Sequence, residues 1–459
     1  MSSARLGLAT AAFAVACAGR PSGPAAAPGN ASPAPATAAS VERPPSSPAP
    51  TATPESHVDA DAIVAEALEK ASAVRELRAK GPVRGVTLTR ARLAVQVAEA
   101  VDRELPPDLL RAEGEMLVLL GVVPADFDYR GAVVTLMAEE LAGYYEPRDK
   151  TMYLAADLDA AARAATLSHE LVHALQDQYF DLSHLLDFRP DESDALSAAH
   201  SLAEGDATSA MLDSMLAERG IRATDLSDAL LGAQIRFATA ISMKAPSVPD
   251  VLKRSLVAPY IDGTRLVNVL RRQGGWAAVD DVWKNPPTTT EQLLHEEKLR
   301  THERALVLSI PPPAAGGPAT RILSDVFGEQ GLRLLFEEWL PEQVAEANAA
   351  GWGGDRGAIF HDDDRFALAW HFRADDAASA DRQTDAFTRG VVAQGGTRQG
   401  AAACAERSDR GPLRVERRKR DIVVVAGPYR RSSGGARSAA TCADAADWTR
   451  QIFQAEPAR

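Results

Sequence analysis

Cysteine is scarce in this chain: three residues in 459, at positions 17, 404 and 442. So few cysteines exclude a scaffold stapled by many disulfides, and none of the spacings is that of a cysteine zinc site. Positive charge is also in short supply. With 50 basic against 63 acidic residues the formal net charge is −13, which argues against a basic nucleic-acid-binding surface. The one basic run, Arg417-Arg418-Lys419-Arg420, reads as a hairpin turn. Phosphate-binding glycine loops, internal repeats and a second membrane segment are all missing, so nucleotide folds, solenoids and multi-span membrane bundles drop out.

Residues 18–56 lack almost all large apolar side chains and are rich in proline, alanine, serine and threonine. Such a segment cannot bury a core and reads as an extended tether. Before it, Arg5 precedes an apolar run from Leu6 to Ala16 that ends at Cys17. The run is too short for a permanent span and has the form of a signal peptide over residues 1–17. Ala14-Val15-Ala16-Cys17 resembles a bacterial lipobox without its usual leucine, and ordinary cleavage after Ala16-Cys17-Ala18 stays open. The expectation is export to a bacterial cell envelope with a membrane anchor on lipidated Cys17. Cys404 and Cys442 are then expected to pair as a disulfide in that oxidising compartment.

What the chain does have is His169-Glu170-Leu171-Val172-His173, in a stretch from Asp159 to Phe180 free of proline and glycine. That stretch predicts a helix, and histidines four apart on a helix share a face. Two neutral imidazoles so placed can converge on one Zn²⁺ at roughly 2.0–2.1 Å. Glu170 is then positioned as general base, taking a proton from water activated by the ion and passing it to the leaving amine. The five-residue motif also arises by chance, so its context matters. The extended metzincin pattern is absent, because Gln176 and Tyr179 stand where it needs glycine and histidine.

A third ligand is needed, and Glu204 is the choice, on a second predicted helix over residues 194–218 beyond a turn at Phe188-Arg189-Pro190-Asp191. His200, one turn earlier on the same face, is the rival. Asp206 is a candidate acceptor for a ligand histidine's second nitrogen. A donor to the developing oxyanion is also required, with Tyr144, Tyr145, His295 and Arg356 as candidates. His295 is favoured because it closes a segment entered through the rigid Asn285-Pro286-Pro287. Trp352-Gly353-Gly354-Asp355-Arg356 reads as a tight turn in which Asp355 and Arg356 pair locally.

His169-Glu170-x-x-His173 followed by Glu204-Gly205-Asp206-Ala207 resembles the gluzincin branch of zinc metallopeptidases, especially a group of bacterial and archaeal envelope metallopeptidases. Gly143-Tyr144-Tyr145-Glu146-Pro147, Thr289-Thr290-Glu291-Gln292-Leu293-Leu294-His295 and Gly351-Trp352-Gly353-Gly354-Asp355-Arg356 are similar to that group too. Where its members often show His-Pro-Glu-Lys-Tyr, this chain has His295-Glu296-Glu297-Lys298-Leu299. The resemblance implies a thermolysin-like core, with ligands His169, His173 and Glu204 and base Glu170. It also implies an edge strand above the metal that takes the substrate backbone by strand addition, with Tyr153 on or near it.

The expected fold class is α+β and predominantly helical. A zincin-like metallopeptidase domain, with a short β-hairpin or edge strand plus helices, is expected over residues 57–312, and a smaller α+β C-terminal domain over 313–459. Pro147-Arg148-Asp149-Lys150 separates the two runs of the hairpin. Helices are expected at 60–79, 90–104, 107–120, 129–142, 227–243, 250–257, 264–272, 276–283, 321–340, 381–392 and 443–453. Strands are expected at 305–310, 365–372, 414–416 and 421–426. Function divides into two readings: an exported zinc peptidase acting on peptide or protein substrates, and a non-catalytic envelope lipoprotein using the same fold as a binding module. Retention of Glu170 favours the first.

Overall fold

The computed structural model describes residues 60–455, apart from residues 140, 187–188, 243–247, 314–316 and 433. The signal-peptide, lipobox and tether expectations on residues 1–56 lie outside the described residues. The fold is mixed α+β, with fifteen helices and two sheets among the described residues. No helix among them is long and apolar enough to cross a membrane.

The motif helix, Ala160–Phe180, begins where the Asp159 carboxylate accepts from the Ala162 N–H and ends at Asp181 in the left-handed region. It runs through the middle of a helical layer, with Ala60–Arg75 and Ser193–Leu216 packed against it. That position explains why the histidines and the apolar side chains Leu171, Val172 and Leu175 are buried together. A three-stranded sheet adjoins it in the order Arg84–Leu88, Thr151–Ala155, Gly143–Glu146, the first pair parallel and the second antiparallel. The predicted hairpin therefore forms. Tyr153 lies in the central strand, while Gly143–Glu146 is the edge that packs on the motif helix.

The second sheet has eight strands. Its long central strands, Trp352–Asp362, Arg365–Ala374 and Asp421–Ser432, pair antiparallel. Alternation sorts their side chains: Leu368, Trp370, Phe372, Ile422 and Val424 pack with Phe387 and Val391 of helix Ala377–Ala393. The opposite faces, with Ala367, Ala369, Val423 and Val425, pack on Trp448 and Ile452 of helix Cys442–Gln454. Cys404 and Cys442 form the expected disulfide, Cα–Cα 6.1 Å. Lys419 and Arg420 make the expected hairpin turn between Leu413–Arg418 and Asp421–Ser432.

Four local expectations are overturned. Residues 321–340 do not form one helix: Thr320–Asp325 is a strand paired with Trp352–Asp362, and the helix is Gly328–Phe336. Pairing with the sheet outweighs local helix preference there. Residues 305–310 lack the ladder of a strand; Leu306 N donates to Gly353 O at 2.8 Å, and Leu308 and Ile310 are buried. Trp352–Arg356 is not a tight turn but the irregular start of a strand. Asp355 accepts from the indole nitrogens of Trp352 and Trp370 at 2.9 and 2.8 Å and not from Arg356, which reaches Asp191 at 2.5 Å. Finally, the segments expected at 250–257 and 264–272 are continuous through Pro259 and Gly263, within a helical stretch Asp250–Trp283 that breaks only at Gly274 and Gly275.

Candidate metal centre

Two helices bring the chemistry together. The motif helix presents His169 and His173, and helix Ser193–Leu216 presents Glu204 to both. The Nε2 atoms of the two histidines are 3.2 Å apart, and Glu204 Oε2 lies 3.1 Å from His169 Nε2 and 3.6 Å from His173 Nε2. A tetrahedral ion with ligands at roughly 2.0–2.1 Å sets neighbouring ligand atoms about 3.3 Å apart. The three separations straddle that value, so the donor set fits such an ion without rearrangement. All three residues are buried, and among the described residues they form a group that could hold a metal ion.

Supporting contacts define how each donor is held. His173 Nδ1 is 2.8 Å from Gln176 Oε1, and Gln176 Nε2 donates to the Ala203 carbonyl at 3.0 Å. Because that amide is anchored to helix Ser193–Leu216, its oxygen is turned towards the imidazole. His173 Nδ1 then carries the proton, leaving Nε2 free to ligate. His200 Nε2 contacts the other oxygen of Glu204 at 3.0 Å, so the rival ligand is a partner of the chosen one. Asp206 does not orient a histidine. It accepts from Arg75 Nε at 2.5 Å and Trp283 Nε1 at 2.8 Å, a buried ion pair that ties three helices together beside the site. Two positions along a helix turn a side chain through about 200°, so Asp206 stands on the face opposite Glu204.

Glu170 is fully buried; Oε2 accepts from the Tyr145 backbone N–H at 3.1 Å, whereas Oε1 has no hydrogen-bond partner. Burial pushes its carboxyl up to about 8, against the pull of His173. Burial also works against charge on Glu204, yet His173 and hydrogen bonds from His169, His173 and His200 hold that carboxyl well below the usual range. The Tyr145 N–H contact means that the edge strand Gly143–Glu146 turns its unpaired side towards Glu170.

Tyr260 is a residue the sequence reading missed. Its hydroxyl hydrogen-bonds Glu204, and its ring stacks on His169 with centroids 5.9 Å apart. It reaches the site because its helix crosses Ser193–Leu216 at two glycines. A Cβ on Gly263 would stand 1.7 Å from the Ser201 carbonyl oxygen, and one on Gly205 2.0 Å from the Gly263 carbonyl carbon. Tyr260 and Gly263 are three apart and share the contacting face. That i, i+3 spacing is visible in the sequence, but both residues fall between the helices expected at 250–257 and 264–272.

The expected oxyanion donors are engaged elsewhere. His295 Nε2 pairs with the buried Glu329 at 2.8 Å and lines a cavity of about 270 Å³ with Arg265 and Arg333, which none of the metal-site residues lines. The carboxylate partner of His295, the favoured oxyanion donor, comes from helix Gly328–Phe336. Tyr144 donates to Gln96 at 3.2 Å and stacks on Tyr153, Tyr145 donates to Asp177 at 3.0 Å, and Tyr153 donates to Asp149 at 2.8 Å.

Residues 319–435 match a family described as a domain of unknown function (DUF8575). That segment holds most of the large sheet and none of His169, His173 and Glu204. No curated protein and no solved structure matches the chain.

Proposed function

We propose that this chain is a zinc-dependent peptide hydrolase of gluzincin type with a zincin-like catalytic core, holding Zn²⁺ through His169, His173 and Glu204. One observation carries the reading: a carboxylate 35 positions beyond the first histidine meets both imidazoles at tetrahedral ligand spacing, next to a buried glutamate whose second oxygen is unpartnered. When bound, the ion would supply a Lewis acid that polarises a carbonyl and lowers the pKa of water to roughly 7.

The chain's own residues do the rest. Glu170 uses Oε2 to hold its place against the Tyr145 N–H and leaves Oε1 to take a proton and return it to the departing amine. Tyr260 gives its hydroxyl proton to Glu204 and stacks on His169, which positions both of those donors. An extended peptide would pair along the outer side of the edge strand Gly143–Glu146, away from the Tyr145 N–H that Glu170 holds, which would place the scissile bond without reading its side chains. The first 17 residues add the proposal of an exported enzyme tethered to a membrane through Cys17.

The test is metal analysis and turnover on purified protein. Wild type is expected to hold one zinc and cleave peptides. Glu170→Gln should keep the zinc and lose at least about 10²-fold in kcat, whereas Glu204→Ala should lose the metal. Wild type without stoichiometric zinc would sink the assignment.

A further inference from the structure

The metal centre is almost closed to solvent. His169, Glu170, His173 and Glu204 are each exposed by 1% or less. His200, bonded to Glu204, keeps 15% of its side chain exposed, and it lines a cavity of about 440 Å³. Ser197, one turn earlier, and Pro259, next to Tyr260, line the same cavity. One end of the cavity thus shares a wall with the metal centre.

The remainder of the lining is mostly apolar. Met116, Val133, Leu136, Leu252 and Leu335 supply it from four helices, and Trp370 from the large sheet. Two acids interrupt the apolar wall: Glu113, hydrogen-bonded to Tyr129, and Asp325, which accepts from Ser193 Oγ at 2.5 Å. No lysine or arginine is among the lining residues and His200 is bonded to Glu204, so the cavity offers little to an anionic guest. Its volume falls in the range of pockets that enclose whole small-molecule ligands, about 300–1,000 Å³, and exceeds the need of one leucine side chain.

We propose that this cavity is the specificity subsite of the enzyme and takes an extended, uncharged apolar chain attached to the substrate next to the scissile bond. Two sources share that chemistry: consecutive bulky apolar side chains of a peptide, and an acyl chain carried by a modified peptide. Apolar burial supplies the affinity, at about 25 cal/mol per Å² removed from water. The two wall acids disfavour acidic substrates. The inference rests on the peptide-hydrolase reading for its substrate, but the cavity can be tested without turnover.

The experiment compares three peptides of one sequence: alanines flanking the cleaved bond, a Leu-Phe run in their place, and the alanine peptide carrying a decanoyl group. Wild type should favour at least one apolar peptide over the alanine peptide by about 10- to 200-fold in kcat/KM, and which one wins identifies the source. Val133→Trp, which fills the cavity, should reduce that ratio at least about tenfold with zinc content unchanged. Met116→Ala, which enlarges it, should move the optimum to a longer chain. A ratio of about one in wild type, or an unchanged ratio in both folded variants, overturns the proposal. If wild type cleaves none of the peptides, calorimetric binding of the decanoyl peptide decides the cavity separately. Binding that Val133→Trp abolishes keeps the subsite while the hydrolase reading falls, and no binding to wild type overturns the subsite.

Discussion

Gly263→Ala should disable the proposed metal centre although it touches none of the proposed ligands. The added methyl would lie 1.7 Å from the Ser201 carbonyl oxygen and 2.9 Å from the Gly205 nitrogen, whereas ordinary contact begins at 3.4 Å. Both obstacles are backbone, so neither can rotate away. The helices must part by about 1.7 Å at the crossing, and metal sites tolerate displacements of only about 0.2 Å in ligand distance. Ser201 and Gly205 bracket Glu204 on one helix and Tyr260 sits one turn before Gly263 on the other, so the separation is delivered to the site itself. A misplacement of about 1 Å can cost about 10² in rate; the variant should lose at least that in kcat/KM and release zinc far more readily to a chelator. Stability should fall by about 1–3 kcal/mol from overpacking, although alanine has the better helix propensity by about 1 kcal/mol. Gly81→Ala, with open space around its Cβ, is the control. Chelator competition, peptide turnover and urea unfolding on the two variants measure the effect. A Gly263→Ala protein with wild-type zinc retention, turnover within about threefold and undiminished stability would refute the helix-crossing argument.

Three further outcomes are expected. Gln176→Ala removes the acceptor that holds His173 in its ligating tautomer and should weaken zinc binding by about 10- to 100-fold, measured by chelator competition; unchanged affinity would mean that the imidazole orients itself. Cys442→Ser opens a loop with a sequence separation of 38 and should lower unfolding free energy by up to about 4 kcal/mol, read by denaturant titration with zinc content unaffected. Burial pushes Asp194 up to about 7, against hydrogen bonds from Thr290. Its folded pKa exceeds its unfolded one, so the folded state binds the proton more tightly. The stabilisation is complete below about pH 4 and is lost as pH rises towards about 7, with a slope of up to about 1.4 kcal/mol per pH unit. Asp194→Asn should flatten that part of the stability profile, and an identical wild-type and variant slope across the interval would disprove the linkage.

The site was legible where chemistry follows local periodicity. His169, Glu170 and His173 need only one helix to face one way, and the absence of proline and glycine from 160 to 180 is enough to specify it. Glu204 was legible as a residue type on a neighbouring helix. The roles of Asp206, His295 and Arg356 were not, because each is decided by a partner distant in sequence: Arg75, Glu329 and Asp191. The strand Thr320–Asp325 was misread for the same reason, since its state depends on a ladder with Trp352–Asp362.

By itself, then, the sequence determined the helical segment that carries the two histidines and the adjoining glutamate, the hairpin before it and the mixed class of the fold, all of which follow from spacing along the chain. Tertiary structure alone decided that Glu204 meets both imidazoles, that Tyr260 joins them and that an apolar cavity ends at His200. Those facts depend on how closely two helices can approach, and the limit is set where Gly205 and Gly263 put backbone against backbone.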